Sequence, residues 1–405
     1  MPHNISVITT IASAFGLALL IGFIAVRLKL PALVGYLIAG ILIGPATPGF
    51  VADVNLAGQL AEIGVMLLMF GVGLHFSLED LLSVKRIALP GAIVQIVVAT
   101  AMGAGVAYWW GWDLGAGIVF GLALSVASTV VLLRALESRN ELDSENGRIA
   151  VGRLVVEDLV MVLVLVLLPP LAGLLGAEGV NHAAVPAPHH SLGVTILITL
   201  AQVVAFIAFM LIVGRRLFPW ILAQVERTGS QELFTLCVVV AAIGIAYGSA
   251  MLFGVSFALG AFFAGMVLRE SELSLRAAQE TLPLRDAFAV LFFVSVGMLF
   301  DPRILLAQPW QVLTVVLIII FGKSVAAFLL VLAFRYPLNT ALTVSASLAQ
   351  IGEFSFILAG LGVSLGLLSM EGQNLILAGA IISIALNSLV FKGLDLFKHS
   401  KAIKP

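Results

Sequence analysis

Long apolar runs follow one another along this chain with little between them. Thirteen can be marked out, at 5–26, 31–45, 56–75, 86–110, 114–136, 149–176, 192–214, 231–249, 252–269, 284–300, 308–334, 338–366 and 372–396. Most reach the roughly 20 residues that a helix needs to cross the hydrocarbon layer of a membrane. Inside each run Leu, Ala and Gly are mixed with β-branched residues. The two-residue alternation over about 10 positions that marks a membrane β-barrel strand is missing. The pattern predicts an all-α polytopic membrane protein with 13 transmembrane helices. Composition agrees with it. Of 405 residues, 61% are hydrophobic and only 11% charged, where a soluble domain carries about 25% charged residues. The stretch from Ile5 to Val26 has no basic segment ahead of it and reads as a retained first helix rather than a cleaved leader.

The few charges are sorted along the chain. Nineteen of the 21 Lys and Arg fall after odd-numbered runs or at the C-terminal end, Arg148, Arg153, Arg215 and Arg216 among them. The other loops hold Arg303 alone, and Lys323 lies inside the eleventh run. Cytoplasmic loops concentrate Lys and Arg, so the N-terminus is expected outside and the C-terminus in the cytoplasm. The net charge of -1 points to no acidic or basic partner, and no nucleic acid is expected. A single cysteine, Cys237, allows neither an intramolecular disulfide nor a Cys-rich metal site. Residues 177–191 carry His182, His189 and His190 and read as a solvated outer loop rather than a metal site. Residues 215–230, with Arg215, Arg216, Trp220 and Arg227, read as an interfacial amphipathic linker.

A repeat runs through this pattern. Residues 35–40 read GYLIAG and 260–265 read GAFFAG, an offset of 225; residues 70–76 read FGVGLHF and 294–300 read VSVGMLF, an offset of 224. Equivalent runs are seven apart, and because seven is odd the two copies must lie in opposite orientations. Inverted repeats of this kind place a transporter's substrate site near the membrane midplane, between the copies. The small residues Gly40 and Gly265 would let helices approach closely.

Ionisable residues inside a membrane span are costly and point to function. Glu157 and Asp158 lie in the sixth run, Lys323 in the eleventh and Glu353 in the twelfth, with Glu62 nearer the outer end of the third. Glu157 and Asp158 are adjacent, so on a helix they point about 100° apart. One can face a cavity while the other faces a neighbouring helix. A carboxylate suits proton-coupled cation transport: ionised it offers hard oxygen ligands, and protonated it releases the cation. A plain buried ion pair with Lys323 is the structural alternative. The fifth run centres on Ser125, Ser128 and Thr129, and the offset of 224 lays Ser128 on Gly352 and Thr129 on Glu353. Either both stretches break their helices at the midplane, with Glu353 and Lys323 compensating the half-helix ends, or the hydroxyls bond back to their own helix.

The chain resembles, over essentially its whole length, the transmembrane domain of Kef-type potassium efflux systems in the monovalent cation:proton antiporter-2 family, in particular the YbaL-like branch. PALVGYLIAGILIGP, LLMFGVGLHFSLEDL, ASTVVLLRALE, VVEDLVMVLVLVLLP, FALGAFFAGMVL, LFFVSVGMLFDP and SLAQIGEFSFILAG carry the resemblance together. It implies a sodium/proton-antiporter-like fold with two crossing broken helices, in a bacterial inner membrane and as a homodimer among lipids. Residues 1–76 and 231–303 would be scaffold and dimer contact, 77–191 and 304–397 a moving core, 192–230 a linker, and 398–405 the start of a cytoplasmic linker. The implied activity is exchange of K+ for H+ by an elevator-type motion, with no cofactor. Na+/H+ exchange is the nearest alternative, and a ligand-gated K+ channel is a more distant one that lacks a TVGYG filter here. No HExxH or Ser–His constellation suggests an enzyme. The resemblance makes Asp158 the ion-binding aspartate. Ser128 and Thr129 become the unwound part of the fifth helix, Lys323 the partner of the first acidic position, and Gln350 and Glu353 part of the second crossing helix. Family members usually carry Gln before that aspartate, and electrogenic sodium relatives carry Asp; here it is Glu157. They also continue into a nucleotide-binding regulatory domain, whose GxGxxG fingerprint does not occur in these 405 residues.

Overall fold

The computed structural model describes residues 4–75, 78–137, 139–141, 144–176 and 192–402, and every regular element in them is helical. The histidines of the outer loop fall outside the described residues. The first seven helices are α1 (Asn4–Arg27), α2 (Ala32–Ile43), α3 (Val54–His75), α4 (Leu78–Trp109), α5 (Leu114–Ser125), α6 (Thr129–Glu137) and α7 (Glu145–Leu171). Then come α8 (Leu192–Phe209), α9 (Arg215–Glu226), α10 (Gln231–Phe253), α11 (Phe257–Arg269) and α12 (Ser274–Met298). The short α13 (Ile304–Ala307) is followed by α14 (Pro309–Leu317), α15 (Lys323–Ala333), α16 (Leu338–Ser347), α17 (Glu353–Ser364) and α18 (Met370–Ala402). Among the described residues, eight helical stretches are long and apolar enough to cross a membrane, and four shorter apolar helices accompany them.

The helix ends follow local chemistry. Ser144, Ser230 and Ser256 start α7, α10 and α11, each accepting from the amide three residues on, as a good N-cap does. Gly254 ends α10 in the left-handed region, φ 67°, where a residue without Cβ carries no penalty. α8 passes into α9 through a π-turn at Met210–Gly214, so residues 215–226 continue the seventh run as helix. α12 begins at Ser274, ten residues before the run at 284–300. The polar residues there lie on a helix end, where Arg276 bridges Glu226 at 3.2 Å and Glu280, one turn on, at 3.4 Å; i,i+4 pairs of this kind support exposed helix.

Packing falls into two groups. In one, α3 lies against α11 and α12, and α2 against α1 and α12. In the other, α4 packs on α5, α7 and α15, and α14, α16 and α17 gather around α18. Two close approaches hold the first group together. A side chain at Gly40 would strike the Val294 carbonyl and Gly297, and one at Gly73 would strike the Phe262 carbonyl and Gly265. Backbones that approach this closely give membrane helices the dispersion contacts that lipid cannot provide. A pair of helix breaks lies in the other group, between α5 and α6 and between α16 and α17, and it builds the site.

Candidate functional site at the two helix breaks

α5 stops at Ser125 and Val126 turns extended, φ -95° and ψ 133°. The interruption frees backbone groups that a continuous helix would satisfy, and three of them find a side chain. The Ala127 amide donates to Glu157 Oε2 at 3.4 Å. The Ser128 amide donates to Gln350 Oε1 at 2.9 Å, and Gln350 Nε2 donates to the Ser128 carbonyl at 3.1 Å. Ser128 also caps α6, its hydroxyl accepting from the Val131 amide at 3.4 Å. The second break, between Ser347 and Glu353, ends on an extended Gly352. Ser128 leaves no room for a Cβ at Gly352, so the two breaks touch. Lys323 follows a π-turn at Ile318–Gly322 and donates from Nζ to the Gln350 carbonyl at 2.9 Å. A π-turn mid-helix often marks a functional position.

Asp158 looks into open space. Thr129 Oγ1 donates to its Oδ2 at 3.0 Å, while its Oδ1 is buried without a partner. A buried carboxylate oxygen left unsatisfied calls for an explanation, and an absent ion or water is one. Asp158, Thr129 and Glu353 line a cavity of about 610 Å³ between the two helix groups. Glu353 accepts from Ser128 Oγ at 3.0 Å. The other walls include Tyr36, Val72 and Phe293, and the cavity reaches Arg285 and Asp286. These two form a 2.9 Å pair with Asp286 63% exposed, which sets the mouth there.

Glu157 looks the other way and is fully buried. Gln95 Nε2 donates to its Oε1 at 2.9 Å. Arg153 is one turn earlier on α7, also fully buried, and donates from Nη2 to Gln95 Oε1 at 2.5 Å and to the Gly91 carbonyl at 3.2 Å. Glu157 thus shares the buried interior with two cations, Arg153 and Lys323. Lys323 spends its hydrogen bond on the Gln350 carbonyl.

All seven site residues read from the sequence converge here: Asp158, Thr129 and Glu353 on the cavity, and Glu157, Ser128, Gln350 and Lys323 behind it. One cation was misplaced. Arg153, expected in a cytoplasmic loop, is in the interior, because α7 begins at Glu145 and carries it two turns inward. Its spacing of four from Glu157 was the available signal. Gln95, alone in the apolar stretch GAIVQIVVA, was the other residue missed. Glu62 takes no part in the cluster. Among the described residues no three His, Cys, Asp or Glu gather as a metal site.

Comparison with known proteins gives matches of three kinds. The family described as sodium/hydrogen exchanger, transmembrane, matches residues 15–394. The putative cation/proton antiporter YbaL of Escherichia coli (strain K12) is 62% identical over 395 residues, covering 98% of this chain and 70% of that protein. K(+) efflux antiporter 4 of Arabidopsis thaliana is 34% identical over 372 residues, covering 91% of this chain and 60% of its relative. Among solved structures, the sodium proton antiporter MjNhaP1 from Methanocaldococcus jannaschii superposes with a TM-score of 0.64 over 95% of this chain and 97% of that one. Identity there is 16%, so the likeness is one of fold.

Proposed function

This chain belongs to the sodium/hydrogen exchanger transmembrane family, and from that premise we propose that it exchanges a monovalent cation, K+ in the first place, for H+ at Asp158. The observation that carries the proposal is the Asp158 carboxylate: one oxygen fixed by Thr129, the other unpartnered, on the wall of a cavity that reaches the surface. Ionised, Oδ1 is a hard ligand for a dehydrated cation, and the Thr129 hydroxyl keeps lone pairs for the same ion while donating to Oδ2. Protonated, the carboxyl is neutral and the cation leaves. The choice of K+ is supported by the 34% identity to a K(+) efflux antiporter. Na+ is the second reading, favoured by the likeness of fold to a sodium proton antiporter.

Thirteen crossings follow if α5 with α6, α14 with α15, and α16 with α17 each span once. The inverted repeat is supported by the contacts. The offsets of 225 and 224 turn the pair Gly40–Gly297 into Gly265–Gly73, and both pairs meet closely. Ser128 and Gly352, equivalent under the same offset, touch at the two breaks, as residues near a pseudo-two-fold axis would. Crossing half-helices would direct the N-terminal ends of α6 and α17 toward Glu353 and set Lys323 at a carbonyl of the second break. The cavity walls include Pro31, residues 151–159 of α7 and residues 282–293 of α12, elements that start from odd-numbered loops. With the basic loops in the cytoplasm of a bacterial inner membrane, the cavity opens inward. An elevator-type shift of α4–α7 and α14–α18 along the other group, held as a homodimer, would carry Asp158 to the opposite side. A regulatory nucleotide-binding domain would act from outside the described residues.

The test is a flux assay on purified protein in liposomes, with K+, Na+ or Rb+ gradients and a pH-sensitive dye inside. K+ and Rb+ gradients are expected to drive proton movement. No proton flux under any cation gradient would overturn the proposal.

A further inference from the structure

The buried charges of the described residues number five: Asp158, Glu157, Glu353, Lys323 and Arg153. Without Arg153, three carboxylates face a single ammonium and two negative charges stand uncompensated. With it, three carboxylates face two cations and one negative charge remains. Buried charges persist only when paired or hydrogen-bonded. The balance therefore sets how many positive charges the site takes up.

We propose that Arg153 is the second fixed counter-charge of the transport site, and that it limits exchange to one monovalent cation for one proton with no net charge moved. The inference rests on Asp158 being the exchanging carboxylate. The groups around the guanidinium come from every helix it meets. From α4, the Gly91 carbonyl and Gln95 Oε1 accept from Nη2. From its own helix, Glu157 is the nearby anion. From α15, Lys323 is the nearby cation that shares Glu157. Gln95 turns its carbonyl to Arg153 and its amide to Glu157, at 2.5 and 2.9 Å. The guanidinium and the carboxylate are thereby joined through one oriented amide dipole. Nε and Nη1 of Arg153 have no acceptor, so the guanidinium is anchored through Nη2 alone, to Gln95 and the Gly91 carbonyl, with Glu157 one turn on along the same helix. Gly91 provides the space, since a Cβ there would lie 3.2 Å from Arg153 Nε.

Gln95 ties Arg153 to Glu157, and Lys323 reaches the carbonyl end of the second break through Gln350. Asp158 alone is then left to alternate between cation and proton. Arg153 acts here as a positioning residue, through charge, and contacts neither transported ion.

Solid-supported membrane electrophysiology on the full chain, run beside the dye flux assay, reads the charge moved. Wild-type protein is expected to move protons under a cation gradient with no transport current. R153Q is expected to carry a current, because Glu157, relieved of the guanidinium, takes up a second proton while the one free Asp158 oxygen still takes a single cation, so two protons exchange for one cation, and its flux should shift along the pH axis. R153K should stay current-free. The balanced double variant R153Q/E157Q should lose the current again and regain the wild-type pH profile. If R153Q does not fold, the same expectation holds for R153K and the double variant, and folding of the double alone would itself reflect charge balance. Three results would overturn the inference: a transport current in the wild type, an R153Q variant with current-free flux and the wild-type pH profile, or equal defects in R153Q and the double variant. Complete absence of cation-driven proton flux in the wild type would instead sink the antiport reading, so the two failures are distinguishable.

Discussion

Glu157 and Asp158 are neighbours on α7, yet one faces a packed network and the other a cavity. Glu157 is enclosed by α4 and the first break, with Gln95, the Ala127 amide, Arg153 and Lys323 around it. Asp158 has Thr129 on one oxygen and nothing on the other. The helix itself makes the difference, since consecutive residues point about 100° apart. A carboxylate that is fully engaged holds helices together. A carboxylate with a free oxygen on a cavity can bind and release something. Both jobs are placed within one turn of helix, so the packing that fixes Glu157 also fixes the direction of Asp158.

The largest difference between the two faces should come from removing the Asp158 charge. Asp158→Asn is expected to reduce cation-driven proton flux to that of empty liposomes with a melting temperature near wild type, since Thr129 keeps an acceptor. Wild-type flux in this variant would end the division of labour. Glu157→Ala should do the reverse and act first on stability. It leaves Gln95 Nε2 and the Ala127 amide without an acceptor, each such buried donor costing about 1–3 kcal/mol, visible as a large fall in melting temperature in detergent. An unchanged melting curve would show that Glu157 carries no packing role. Lys323→Ala removes a charged donor from the Gln350 carbonyl, worth about 2 kcal/mol, and should lower stability and displace the pH profile of flux. Retention of both would remove Lys323 from the network. The smallest effect is expected at Thr129→Val. Loss of one hydrogen bond of about 1 kcal/mol should raise the cation concentration for half-maximal flux about fivefold, with folding intact. Unaltered cation dependence would leave Thr129 as a cap residue only.

Much of this was legible in the sequence, and the limits are instructive. The apolar runs locate the helices because a membrane span is a long-wavelength signal. The breaks were less certain, because Ser and Thr can either bond back to their own helix or serve an interruption. The structure divides the three hydroxyls of the fifth run. Ser125 bonds back to the Leu122 carbonyl at 2.7 Å, while Ser128 and Thr129 reach Glu353 and Asp158. Nothing local distinguishes Ser125 from Ser128; the distinction comes from a segment more than 200 positions away, across the second break. Arg153 was misread for a related reason. A cation a few residues inside a run looks like a loop charge until the helix is known to start at Glu145. Lys323 bonds a backbone carbonyl, and no sequence pattern names such an acceptor.

The most direct measurement of the central claim is proton release on cation binding by purified protein in weakly buffered solution. Adding K+ or Na+ should release protons from wild-type protein, because the cation displaces the proton on Asp158, and should release none from Asp158→Asn. Undiminished release from Asp158→Asn would contradict the assignment and move the exchanging group elsewhere in the cluster.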